Sequence, residues 1–372
     1  MDELARLAAE LVAIDSVNPS LVAGAAGETE IARFVAGWME QAGLEVEVLE
    51  PVAGRPSVVG VARGSKGGRS LMLNAHLDTV GTAGMTEPFA PRVEDGRLYG
   101  RGALDMKGSL AAIMLAGRDA AGRDLRGDVV VAAVADEEAG SIGTEAVLER
   151  HPADAAIVAE PTWLDLAISH RGFVGLEVEV AGRAAHGSRP ERGLDAIVRM
   201  GRVLVGLEAL DRRLQSGPRH PLLGPGSVHA SVIEGGQELS SYPARCSLLA
   251  ERRTLPGETT EDVRQELEAI LSAAGRDDPD FRAEVRVPFT RDAYEIAPGD
   301  SFVELVRRHA GGPALVGMPF WADSGLIAAA GIPTVLFGPA GEGLHETEEW
   351  VDLASLERCR EVYLSVATDF CD

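Results

Sequence analysis

The stretch VVVAAVADEEAGSIGTEA, residues 129–146, decides the fold. Positions 129–135 are apolar throughout, with no alternation between faces. A strand of that kind is buried on both sides, as the strands of a parallel sheet are. Asp136, Glu137 and Glu138 follow without a spacer, and residues 143–150 then read as a helix. Adjacent carboxylates at the end of a buried strand repel one another unless a cation or strong donors balance them. Solvated acidic runs are common but seldom sit flush against such a strand, so this run favours a functional reading.

The same strand-then-helix pattern extends outward in both directions. Apolar runs lie at 57–62, 70–75 (SLMLNA) and 154–159 (DAAIVA), and helices are expected over 2–14, 28–42 and 106–117. Leu4, Leu7, Ala8, Leu11 and Val12 give the first helix its period, Asn18-Pro19 ends that segment, and Gly43 is placed to cap the second. This alternation predicts an α/β fold with a mixed, largely parallel sheet covered by helices. After about residue 173 the pattern changes. Residues 174–180 (VGLEVEV) alternate with period two, a helix is expected at 193–213, strands at 227–234 and 244–252, and a helix at 259–274. The α/β style returns with a helix at 300–309, a strand at 333–337 and a helix at 353–369. The expected organisation is therefore one domain built from 1–173 and 286–372, with an α+β domain, 174–285, inserted into it.

Composition excludes several functions. The chain has 372 residues, of which 45% are hydrophobic and 25% charged, the usage of an ordinary globular protein. Its formal charge of −23 argues against nucleic acid, whose binding relies on Lys and Arg to displace counterions. No apolar run reaches the 18 or so residues of a membrane span, and the acidic, amphipathic start is unlike a secretory signal. A cytoplasmic protein is expected. The three cysteines, Cys246, Cys359 and Cys371, form no CxxC pair, which argues against a disulfide scaffold or a thiolate zinc site.

The chemistry-bearing residues gather where apolar strands end. His76 and Asp78 lie two apart in LMLNAHLDTV and share a face of an extended segment. Asp105 follows a glycine-rich turn in LYGRGALDMKGSLAA; taken alone it reads as a helix N-cap. Glu160 ends the run AAIVAEPTW, and His345 follows the PTVLF strand in GPAGEGLHETEEWV. A lone histidine at a strand end is more often structural than ligating. All five sets together, however, fit the rule that ligands of open α/β sheets sit outside the carboxyl ends of the strands. Imidazoles and carboxylates without thiolates suit zinc, cobalt or manganese. Walker A, GxSxG and Rossmann signatures are absent, and Glu349 stands where an HExxH motif would need its second histidine.

HLDT, GRGALDMKG, DEEAGSIGT, VAEPT and LHETEEWV, in that order, resemble the motifs of the M20 dinuclear zinc amidohydrolases and peptidases. That group includes acetylornithine deacetylase, succinyl-diaminopimelate desuccinylase, aminoacylase and the glutamate carboxypeptidases. The resemblance covers essentially the whole chain; GRAAHGSRPERGLDAI looks like the family's lid segment, which makes 174–285 a lid and dimerisation domain. It implies two divalent metal ions per chain, zinc first and cobalt or manganese next. His76, Asp105 and Glu160 would hold one and Asp105, Glu138 and His345 the other, with a cis peptide after the bridging Asp105. Asp78 would support His76, and Glu137 would be the general base for a water shared by the metals. His186 matches the lid histidine of the oxyanion site, which in the family often acts across a dimer interface. Arg253 matches an arginine that binds a substrate carboxylate, and Ser240 stands where the family commonly has an asparagine. Asp323 resembles a position near the active site, although an N-cap role explains it as well. The implied activity is amide hydrolysis of N-acyl amino acids by a homodimer joined through the lid. Peptidase action on small peptides and a catalytically silent binding protein are the competing readings, and the intact Glu137 weighs against silence.

Overall fold

A computed structural model describes residues 2–65 and 67–372. The chain divides into two compact units. The first runs up to Ile168 and includes Ile296–Val316 and Ala322–Asp372; the second is Ser169–Glu295 with Gly317–Trp321. The second unit is thus wider at both ends than 174–285 and takes in a short distant segment.

The first unit is a mixed sheet covered by helices. Its strands run Glu45–Leu49, Ser57–Ala62, Val129–Val134, Leu71–His76, Ala155–Val158, Thr334–Leu336 and Leu166–His170. The four from Val129–Val134 to Thr334–Leu336 pair in parallel, and the margins are antiparallel. The Leu71–His76 and Val129–Val134 strands are buried at every position, as their unbroken apolar sequence requires. Helix Gly108–Ala121 packs on this sheet and is buried nearly all round. A Cβ at Gly117 would come within 2.3 Å of Val131 Cγ2, so the bare backbone is what lets helix and sheet approach.

That helix starts later than its sequence pattern suggests. Residues Ala103–Lys107 form an irregular turn in which Asp105 (φ −120°, ψ 90°) and Met106 are not helical, and the Asp105–Met106 peptide is cis. Regular helix begins at Gly108, with Lys107 in the cap position. Asp105 is therefore not an N-cap, and its carboxylate is left for other partners. A small second sheet joins the hairpin Arg92–Glu94 and Arg97–Tyr99 to Trp350–Asp352 and Gly341–Glu342. These strands are short and polar, and no periodicity announces them.

The second unit carries an antiparallel sheet in the order Ser227–Gly235, Arg245–Thr254, Gly172–Ala181, Arg282–Arg286. Gly172–Ala181 alternates buried and half-buried positions, following its period-two sequence. Val174, Leu176, Val178 and Val180 build its core with Met200, Val203 and Leu207 of helix Ala196–Ser216 and Val263 and Leu267 of helix Thr260–Gly275. Thr259 and Asp262 form a reciprocal capping box at the start of the latter helix. Strand Ser227–Gly235 lies at the sheet's edge and is exposed along most of its length.

Candidate metal centre

Seven candidate residues of the first unit, His76, Asp78, Asp105, Glu137, Glu138, Glu160 and His345, converge at the carboxyl ends of its parallel strands. His76 closes Leu71–His76; Glu137 and Glu138 follow Val129–Val134; Glu160 follows Ala155–Val158. His345 lies on the loop between Gly341–Glu342 and Trp350–Asp352, with φ at 60°. That loop depends on Gly343 (φ 92°), where a Cβ would fall 1.8 Å from the carbonyl oxygen of Glu348.

Asp105 stands at the centre. Its Oδ1 is 3.0 Å from His76 Nε2 and its Oδ2 is 3.3 Å from His345 Nε2. His76 Nε2 is also 3.7 Å from Glu160 Oε1, and His345 Nε2 is 3.3 Å from Glu138 Oε2. Donor atoms of His76, Asp105 and Glu138 can be chosen within 4.8 Å of one another, and so can those of His76, Glu137 and Glu160. Glu138 Oε1 is buried with no hydrogen-bond partner among the described residues. An orphaned carboxylate oxygen inside a carboxylate cluster is what a cation site requires.

The electrostatics state the same need. Burial, and then the neighbouring Glu160 charge, pushes the Glu137 carboxyl well above its ordinary range. Burial followed by the Asp105 charge raises both Glu138 and Glu160. Asp105 behaves oppositely: burial works to raise it, but hydrogen bonds from His345 and His76 hold it well below the usual carboxylate range. His345 is pushed up to about 10 by its contacts with Asp105 and Glu138. Protons on the imidazoles of His76 and His345 balance Asp105 in the protein alone, and divalent ions would replace them.

Two carboxylates shape the frame. Asp78 is fully buried and accepts from the main-chain N–H groups of Glu137 (3.1 Å) and Glu138 (3.2 Å). Its contact with His76 runs through its carbonyl oxygen, 2.9 Å from Nδ1, whereas the carboxylate is 3.7 Å away. Asp78 thus orients the Glu137–Glu138 segment more directly than it does His76. Glu349 escaped the sequence reading, where it counted only as a failed second histidine. It is buried, pairs with Arg101 Nη1 at 2.7 Å and accepts from the N–H groups of Gly102, Leu104 and Asp105. Asp323 makes no N-cap hydrogen bond; its Oδ2 accepts from Thr144 Oγ1 at 2.5 Å, and burial pushes it up to about 6.

The remaining predicted residues lie on the second unit. His186 is exposed, with Nδ1 2.8 Å from Ser188 Oγ, and the next residue, Gly187, donates its N–H to the carbonyl of Ser240. His186 and Ser240 are therefore neighbours. Arg253 pairs with Glu251 at 2.6 Å and lies over the Phe173 ring. Its neighbour Arg252 is the structural member of the pair, buried and held by Glu258 and Glu266. His186 also lines a cavity of about 640 Å³ with Arg183, Arg189 and Arg192.

The chain is similar to known proteins along nearly its whole length. The sequence matches Peptidase family M20/M25/M40 over residues 72–369. It is 34% identical to an acetylornithine deacetylase from Myxococcus xanthus over 97% of this chain and 96% of that protein. The fold matches an aminopeptidase from Bacillus cereus with a TM-score of 0.80 at 22% identity, covering 99% and 98% of the two chains. An M20 family metallo-carboxypeptidase from Sulfolobus solfataricus gives 0.80 at 18% identity, covering 99% of both. The molecule is a hydrolase acting on C–N amide bonds. More particularly, it belongs to Peptidase family M20/M25/M40.

Proposed function

We propose that the chain is a dinuclear metallohydrolase cleaving the amide bond of N-acyl amino acids, of the acetylornithine deacetylase or succinyl-diaminopimelate desuccinylase kind. The observation that carries this reading is Asp105, whose two carboxylate oxygens face two different histidines. The donor set fits metal: imidazole and carboxylate without thiolate, with a buried carboxylate oxygen left over. His76, Asp105 and Glu160 would hold one ion and Asp105, Glu138 and His345 the other, zinc being the first expectation. Bound there, two divalent ions supply Lewis acidity that acidifies a water and polarises a carbonyl.

The protein's own groups do the rest. Glu137 also lies within reach of His76 and Glu160. With the other ligands shared out around Asp105, it is left to take the proton of the attacking water and return it to the leaving amine. Asp78 holds the main chain that aims it. On the second unit, the sequence resemblance assigns His186 to the developing oxyanion and Arg253 to a substrate carboxylate, with Ser240 as a further hydroxyl contact. Three arginines against one carboxylate, Glu191, around His186 support a substrate with an anionic end. The exposed edge strand Ser227–Gly235, with Val232 and Ile233 outward, supports a homodimer joined through this unit.

The test is a metal-supplemented hydrolysis screen of N-acetyl-ornithine, N-succinyl-diaminopimelate, other N-acyl amino acids and dipeptides. The reading expects cleavage of acyl amino acids. Turnover confined to peptides would replace it with a peptidase, and no turnover with any metal would leave a silent binding protein.

A further inference from the structure

Behind the proposed site lies a buried polar chain that the mechanism above does not use. Arg55 binds Glu28 through two parallel bonds, Nε to Oε2 and Nη2 to Oε1, both 2.6 Å. The same Nη2 reaches Asp136 Oδ1 at 2.7 Å, and Nη1 reaches Ser20 Oγ at 3.1 Å. Asn18 Nδ2 donates to Asp136 Oδ1 at 3.0 Å and to Asp78 Oδ2 at 2.7 Å. Asp78 then receives the N–H groups of Glu137 and Glu138. Glu28, Asn18 and Asp78 are fully buried, and Arg55 and Asp136 nearly so.

Two features give this chain a direction. Arg55 and Glu28 already form a complete bidentate pair, so stability alone leaves the reach to Asp136 unexplained; buried ion pairs are in any case weak stabilisers relative to apolar packing. Asp136 also has φ at 69°, in the left-handed region that disfavours non-glycine residues. Its carbonyl closes the turn by accepting from Gly140 N at 2.9 Å and Ser141 N at 2.5 Å. The turn is thus pinned at its side chain by Arg55 and Asn18 and at the next two amides by Asp78. Its exit vector sets where the Glu137 side chain points.

We propose that Arg55 and Asn18 are positioning residues, which act through Asp136 and Asp78 to fix the turn that aims Glu137. The proposal rests on the reading of Glu137 as the proton carrier. The amide of Asn18 is the key joint, because its two N–H bonds bridge two carboxylates that would otherwise repel. A carboxylate there lacks the donors, and an ammonium in place of Arg55 lacks the fork that spans Glu28 and Asp136.

The experiment compares wild type, Glu137→Gln, Asn18→Ala, Asn18→Asp, Arg55→Lys and the surface control Arg63→Ala, all as metal-loaded full chains on the best amide from the screen. Arg63 makes only exposed pairs with Glu45 and Asp128, so its removal leaves kcat unchanged. Asn18→Ala, Asn18→Asp and Arg55→Lys are expected to lower kcat about 10- to 100-fold with KM and metal content unchanged. Amide hydrogen exchange over 136–141 should quicken while the core strands stay protected. Wild-type kcat in folded Asn18→Ala or in Arg55→Lys, or a loss of kcat matching lost metal, would each overturn the proposal. Should Asn18→Ala not fold, the near-isosteric Asn18→Asp decides the same question by the same readouts. An inactive wild type, or an undiminished Glu137→Gln, overturns the reading of Glu137 instead, and the proposal's catalytic clause with it; exchange over 136–141 still reports on the clamp.

Discussion

One buried carboxylate, Glu349, gathers the guanidinium of Arg101 and three main-chain N–H groups, and so fixes the turn that presents Asp105. Its value lies in what its removal strands: three main-chain N–H donors and a buried guanidinium left, among the described residues, with the Glu346 carbonyl alone. Glu349→Ala is expected to cost about 3–5 kcal/mol in urea unfolding. A loss below about 1 kcal/mol, the worth of a surface pair, would contradict this role. Of the candidate residues, His76, Glu137, Glu138 and Glu160 were legible because each closes or follows an apolar strand, an unusual address for a carboxylate, whereas Asp105 and His345 lie on irregular segments. Glu349, Asn18 and Arg55 were not, since they act through contacts between residues far apart in sequence. Asn18 could be read only as the stop before Pro19, and Glu349 only as one acid among several in HETEEWV.

At the level of elements, strong periodicity was the reliable guide. The helices Glu3–Val12, Thr29–Gln41 and Leu353–Phe370 and the strand Ser57–Ala62 fall within two residues of their sequence-predicted limits. Elements without a clear pattern escaped, among them the antiparallel strand Glu45–Leu49, half exposed on both faces, and the polar hairpin at 92–99. Asp105 misled for a physical reason: its glycine turn imitates an N-cap, but the chain makes one irregular turn before the helix starts. In the second unit, Asp278 ties the end of one helical layer to the other through Arg199 (2.8 Å) and Arg202 (3.0 Å). These guanidinium bonds, Arg199 first, hold the Asp278 carboxyl well below its ordinary range. A depressed folded pKa stabilises above the unfolded value of about 3.9, and that contribution is lost as pH falls toward the folded pKa. Asp278→Asn should therefore lower the Tm at pH 7 and lose most of its effect near pH 2. An equal Tm deficit at both would show that charge is not the reason.

For the whole molecule, the division into an α/β unit and an interrupting α+β unit follows from the switch between unbroken apolar strands and period-two strands. The net charge of −23 includes the ligand carboxylates themselves, so the field around the proposed metals is local and does not forbid an anionic substrate. Among the described residues, no helix is long and apolar enough to cross a membrane. Exposed apolar residues of the second unit include Val232 and Ile233 on the edge strand and Ile197 and Val198 on the adjoining helix, with Val205, Leu239 and Leu249 also exposed. Light scattering should give a dimer mass for the wild type and a monomer mass for Ile233→Glu. A wild-type monomer at micromolar concentration would remove the proposed interface.

Metal stoichiometry tests whether Asp105 would be shared by two ions, one held with His76 and Glu160 and the other with Glu138 and His345. Elemental analysis of the purified, reconstituted protein should find two divalent ions per chain. Glu137→Gln should keep both while its kcat falls about 10²- to 10⁴-fold, and Asp105→Asn should retain neither at full occupancy. One ion per chain in the wild type, or two still bound in Asp105→Asn, would contradict the bridging role.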